Sequence, residues 1–168
     1  SVRGRSRSVK KSDLLEQIQI LIQNGYTEIV LTGTNIGSYG LKDGTSLGKL
    51  LQKMMQISGL KRIRLGSLEP AQIDESFMEI LDEKLLERHL HIALQHTSET
   101  MLRIMRRRSH TKDDLKLFQT LSSKGFALGT DFIVGHPGES EELWQEALRN
   151  FTEFKLTHLH AFIFSPRN

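Results

Sequence analysis

The chain has no cysteine among its 168 residues, which excludes disulfides and thiolate metal ligands from anything it builds by itself. The same absence fits a cytoplasmic protein. No apolar run approaches the ~18 residues that a membrane span needs, so no membrane contact is expected. The opening SVRGRSRS is not a charged segment followed by an apolar one, so no secretory signal is visible. Low-complexity tracts are lacking as well. So is an initiator methionine, and the last residues, SPRN, come just past a strand pattern; the expectation is a piece of a longer protein.

What is present points to one α/β core. A hydrophobic content of 38% over 168 residues can bury a single sizeable core, so residues 1–168 read as one domain. Five strand-like runs, 28–31, 62–65, 89–94, 127–134 and 158–164, each end in a short polar or glycine-rich segment: TGTNIGSYG, GSLEP, QHTSE, GHPGES and SPRN. Their starts lie roughly thirty residues apart, the length of one unit in a β/α barrel. Alternating strands and helices imply a parallel sheet with helix cover, and ligands gather where such strands end. Helix patterns begin after Ser12, after Ser46 and at Thr111, and stop at Gly25, Gly59 and Gly125; Asp74, Ser98 and Ser140 are further capping candidates. Asp113 and Asp114 fall in a first turn, where the helix dipole favours them.

Charge is unevenly spread. The net value is +3, yet Arg3, Arg5, Arg7, Lys10 and Lys11 all precede the first acid, Asp13. Arg103, Arg106, Arg107 and Arg108 cluster near the end of the helix that begins at Ser98. Guanidinium forks suit phosphates, which makes RNA the leading partner. Basic residues at a helix C-terminus also answer the dipole and solvate a surface.

Strand alternation puts Arg62 with Arg64, His89 with His91, Gly129 with Asp131 and His158 with His160 on shared faces. One polar face therefore collects Arg64, His91, Asp131 and His160 around a cavity, unlike the branched apolar filling of a closed barrel. The alternatives are a paired structural network, such as Arg64 with Asp131, or a metal held by the His-x-His pairs and Asp131. LTGTNIGSYG lacks the spacing of a dinucleotide loop, and a plain turn accounts for its glycines. GHPGES could hold an adenine edge with its free backbone groups. Trp144, Phe151 and Phe154, at helical spacing, are most simply core.

Taken together, VRGRSRS, GYTEIVLTGTNIGSYG, RIRLGSLEP, HLHIALQ, TDFIVGHPGESEE and LHAFIFSPR resemble the radical S-adenosylmethionine core of the methylthiotransferases. The first three are most similar to the threonylcarbamoyladenosine tRNA branch, with the branches that act on isopentenyladenosine 37 of tRNA or on a ribosomal protein as alternatives within the family. The resemblance implies a partial, open (β/α) barrel of the radical-SAM type, with a parallel sheet and helices outside. It implies S-adenosylmethionine and two [4Fe-4S] clusters in the parent protein, neither ligated by these residues, with a cluster loop and a methylthiotransferase domain before Ser1 and an RNA-binding domain after Asn168. The implied reaction converts N6-threonylcarbamoyladenosine 37 of tRNA to its 2-methylthio derivative through a 5'-deoxyadenosyl radical, with a flavodoxin-like electron donor. The piece alone would then be inactive.

By the same resemblance, Thr32, Gly33, Thr34 and Asn35 match the site for the methionyl amine of the cofactor. Ser67 and Gln95 match further cofactor positions, and Ile133, Gly135 and Glu139 match the turn that flanks adenine. Asp131, Glu69 and Arg64 are the expected catalytic set, and Arg3, Arg5, Arg7, Arg106 and Arg107 the expected RNA contacts. No residue is expected to ligate a metal. The chain departs from the family pattern where HIALQHTS replaces HIPLQSGS, at His96 and Thr97, and at His136 and Asn168. If the first strand of such a barrel is lost, residues 28–31 become an exposed edge through which the piece could self-associate. Two other readings stay open: a metal-dependent barrel hydrolase using His89, His91, His158, His160 and Asp131, and a non-catalytic RNA-binding module.

Overall fold

The computed structural model describes residues 7–166. The described residues gather into two compact units, one running through Gly66 and including Ile73–Glu87, the other made of Ser67–Gln72 and the chain from Arg88 onward.

The first unit contains α1 (Lys11–Gln23), β1 (Glu28–Leu31), α2 (Leu47–Met54), β2 (Arg62–Leu65) and the single turn α3 (Glu75–Met78). β1 and β2 pair in parallel, Glu28 opposite Arg62 and Leu31 opposite Leu65. Leu50, Leu51, Met54, Ile63, Phe77 and Leu81 are buried here, each worth about 1.5–3 kcal/mol in apolar area removed from water. α2 meets α3 at Gly48, where an added Cβ would lie 2.3 Å from Ser76 Oγ and 2.4 Å from the Phe77 nitrogen. The two elements are also tied by a 2.9 Å hydrogen bond between the hydroxyls of Ser46 and Ser76.

The second unit contains β3 (His89–His91), α4 (Glu99–Ile104), α5 (Thr111–Ser123), β4 (Ala127–Val134), α6 (Glu141–Glu153) and β5 (His158–Ile163). Its three strands are parallel in the order β3-β4-β5. Leu90, Met101, Phe118, Leu128, Phe132 and Phe154 form its core, with Phe118 and Phe154 edge to face at 5.1 Å between ring centroids. Phe132 packs on Phe151 and Trp144, as the helical spacing of the aromatic residues implied.

The α/β class holds, and the described strands form open parallel sheets rather than a closed barrel. Four expected caps are present: Ser46, Asp74, Ser98 and Ser140 accept hydrogen bonds from the backbone N–H groups of Lys49, Phe77, Met101 and Leu143. Ser12 does not cap α1, because the helix already starts at Lys11 and the Ser12 hydroxyl donates to Asp13 at 2.7 Å. Thr111 opens α5 with help from afar: its amide donates to the Glu99 carboxylate at 2.9 Å and its hydroxyl to the Thr97 carbonyl at 3.1 Å.

The strand expected over 89–94 is shorter. Beyond His91 the ladder is interrupted by Thr130, whose fully buried hydroxyl accepts from the Leu94 amide and donates to the Ile92 carbonyl. Pairing resumes at one point, where Gln95 bonds Asp131 and Ile133 through its own amide and carbonyl. No helix among the described residues is long and apolar enough to cross a membrane.

Candidate functional site

In the first unit the segment after β1 folds back through two short 3-10 turns, Ile36–Ser38 and Leu41–Asp43. It encloses a cavity of about 450 Å³, within the size range of small-molecule sites. Thr32, Gly33, Thr34 and Asn35 line it together with apolar Leu31, Ile36, Leu47 and Leu50, and with Arg7. All four residues expected at the cofactor's amino-acid end thus lie on one cavity. Ser8 fastens the far side of the segment by accepting the Gly40 N–H at 3.0 Å. Arg64 pairs with Glu28 at 3.6 Å, beside Arg62, which bridges Glu28 and Glu87. These are half-exposed pairs that contribute little to stability.

The second unit carries a histidine face. His91 Nε2 lies 3.0 Å and His160 Nδ1 3.4 Å from the same carboxylate oxygen, Oδ1 of Asp131. His89 and His158 meet at 3.4 Å between their Nε2 atoms and stack at 5.0 Å. The register explains the gathering, since Gly129 is paired with both His91 and His158 and Asp131 with His160. Gly129 leaves room for that ring: a Cβ would come within 1.8 Å of His158 Nε2, so the imidazole would have to shift. Burial holds the proton affinity of His158 below the ordinary histidine value, and the neighbouring imidazoles of His89, His91 and His160 add to that.

Of the four residues expected together, His91, Asp131 and His160 gather in the second unit, and Arg64, in the first, pairs with Glu28. Glu69 is approached by Arg107 at 3.9 Å, so an expected catalytic group and an expected RNA contact neighbour each other. Arg106 has φ +55 and ends α4: its amide donates to Arg103 and that of Arg107 to Leu102, closing a Schellman turn on an arginine where glycine is usual. Ser67 is exposed, just before Leu68 joins Ile92 in an isolated bridge. Arg3 and Arg5 lie outside the described residues.

Gln95 has φ +67, which costs a non-glycine residue on the order of 1 kcal/mol. Next to it His96, fully buried, reaches Glu139 with Nε2 at 2.9 Å, and its Nδ1 accepts the Ser98 N–H at 3.0 Å. The accepting Nδ1 makes Nε2 the protonated nitrogen, so a neutral imidazole donates to the carboxylate. Burial is the main cause that lowers its proton affinity. The other oxygen of Glu139 accepts the Gly135 N–H, so Glu139 shapes the glycine turn from within. Ile133 is partly buried at the end of β4, one residue before that turn region. No positive motif announced His96; the only signal was its departure from the family pattern.

Asp114, read only as a dipole partner, is 4% exposed, and its Oδ2 has no hydrogen-bond partner. Burial first, then Asp113 and Glu99, pushes its carboxyl up to about 7.

Residues 1–151 match the model of the radical SAM superfamily, and the chain belongs to that family. Among curated relatives it is 54% identical over 167 residues to a Helicobacter pylori protein assigned to the methylthiotransferases without a named substrate. It is 39% identical over 176 residues to the threonylcarbamoyladenosine tRNA methylthiotransferase MtaB of Bacillus subtilis, and 34% over 172 residues to the tRNA-2-methylthio-N(6)-dimethylallyladenosine synthase of Acetivibrio thermocellus. These alignments cover 98–99% of this chain but only 36–40% of the relatives, so the chain spans about two fifths of their length. Among solved structures, the radical S-adenosylmethionine methyltransferase TsrM of Kitasatospora setae superposes with a TM-score of 0.72 at 17% identity, over 92% of this chain and 31% of that one, a likeness of fold alone.

The family's two cofactors fare differently against these residues. A [4Fe-4S] cluster is held by thiolates, and the chain has none to offer. The cavity lined by Thr32, Gly33, Thr34 and Asn35 offers hydroxyl, amide and backbone groups beside apolar walls, which suits the amino-acid end of S-adenosylmethionine.

Proposed function

We propose that the protein carrying this chain is a tRNA methylthiotransferase that converts N6-threonylcarbamoyladenosine 37 to its 2-methylthio derivative. The observation that carries this reading is the 39% identity with the Bacillus subtilis enzyme across 98% of this chain, against 34% with the Acetivibrio thermocellus synthase of the sister branch. The opening RGRSRS, LTGTNIGSYG and RLGSLEP add to it.

In this reading Thr32, Gly33, Thr34 and Asn35 hold the amino-acid end of S-adenosylmethionine, which supplies radical chemistry when bound beside a cluster. Cluster thiolates, a methylthiotransferase domain and an RNA-binding domain are supplied by segments outside these 168 residues, electrons by a flavodoxin-like donor. By itself the chain reconstitutes no cluster and is inactive; about four irons per chain after anaerobic reconstitution would overturn that. In the second unit Gln95, Ile133, Gly135 and Ser67 offer hydrogen bonds and apolar contact to a nucleoside, and Glu139 keeps the turn in shape. Asp131 and Glu69 orient the reacting groups, and Arg64 contributes charge. Arg3, Arg5, Arg7, Arg106 and Arg107 contact tRNA phosphates, in the cytoplasm. Replacing Arg3, Arg5 and Arg7 should flatten the salt dependence of tRNA binding by up to ~0.9 in slope per lost contact.

Nucleoside mass spectrometry of tRNA from a strain lacking the gene tests the substrate. Loss of the 2-methylthio threonylcarbamoyl nucleoside is expected. Loss of 2-methylthio-isopentenyladenosine instead would assign the protein to the sister branch.

A further inference from the structure

Three residues on the histidine face, His91, Asp131 and His160, each offer one ligand atom, and these atoms lie within 4.8 Å of one another. Around a tetrahedral zinc, with ligands at ~2.0–2.1 Å, neighbouring ligand atoms are about 3.3 Å apart. Two edges of the triangle already match, at 3.0 Å and 3.4 Å. The third can close by rotation of His160, whose side chain is 58% exposed, while His91 at 12% and Asp131 at 23% are held by their surroundings. The three residues come from adjacent strands in fixed register, so their spacing is set by the ladder rather than by a loop. His158 stands beside both histidines of the set, with ring centroids 5.8 Å from each.

We propose that His91, Asp131 and His160 bind one borderline divalent cation, with Zn2+ or Co2+ as the natural occupants. Two imidazoles and one carboxylate suit these ions; calcium and magnesium prefer all-oxygen sites, and soft ions prefer sulfur. Three protein ligands leave a coordination position open. The site is independent of the radical reading above.

The test is titration of the tag-free, chelator-treated chain with zinc sulfate by calorimetry and with cobalt chloride by visible spectroscopy. One equivalent of zinc should bind with a micromolar or tighter Kd, and cobalt should give d–d bands. Asp131→Asn and His160→Ala should each weaken zinc at least tenfold, with thermal melts showing that both variants stay folded. His110→Ala, a surface histidine paired with Glu99, should bind as the wild type does. Absence of saturable binding would overturn the proposal. So would binding that survives His160→Ala but is lost in His158→Ala, which would assign the ion to the neighbouring pair of His89 and His158.

Discussion

The two compact units solve different problems with the same strand-and-helix grammar. In the first, the segment after β1 makes its cavity from backbone, threonine hydroxyls and an asparagine over an apolar floor. In the second, β3, β4 and β5 bring four histidines and an aspartate onto one face. The first surface is suited to hold a ligand, the second to move protons or bind a cation. The contrast follows from what positions the groups. A loop is held by its own turns, whereas a ladder repeats its spacing every second residue.

Matched glycine-to-alanine changes sharpen this contrast. In Gly48→Ala the new methyl meets backbone, the Phe77 nitrogen at 2.4 Å, so α3 must shift and the loss should be about 2 kcal/mol after the gain in helix propensity. Urea unfolding measures it, and a loss below that of a surface change would break the account of α2 on α3.

Asp114→Asn comes next. The folded carboxyl titrates at about 7 against an ordinary 3.8, so between those values the folded state binds more protons than the unfolded one. Wild-type stability therefore falls as pH rises from about 4 through 7 and is flat above. The variant should lose that slope and gain on the order of 2 kcal/mol at pH 8, read from denaturation across pH; an unchanged slope would refute it.

In Gly129→Ala the clash is with the His158 ring, the far end of a mobile side chain. The expected cost is about 1 kcal/mol, with the His158 ring signals displaced in NMR spectra. Smallest is Arg106→Gly, which relieves the left-handed arginine after α4 and should add about 0.5 kcal/mol to stability.

Much of this was legible beforehand, unevenly. Strand runs at 28–31, 62–65 and 127–134 emerged with those bounds because alternation and glycine punctuation agreed there. Four caps did too, since a serine or aspartate three residues before a free amide has a local cause. The shortened β3 was not legible, because the Thr130 hydroxyl that interrupts it acts from another strand. His96 and Asp114 were missed for the same kind of reason: burial of a polar group is a tertiary property, and helix position or motif spacing says nothing of it. The pairing of Arg64 with Glu28 was not legible either, because alternation reports a face and not a partner.

The most direct test is an NMR titration of the chain with S-adenosylhomocysteine. Saturable shifts of the Thr32, Gly33, Thr34 and Asn35 amides are predicted. Saturation that leaves those four amides unmoved, or no binding at all, would contradict the assignment of the cavity to the cofactor.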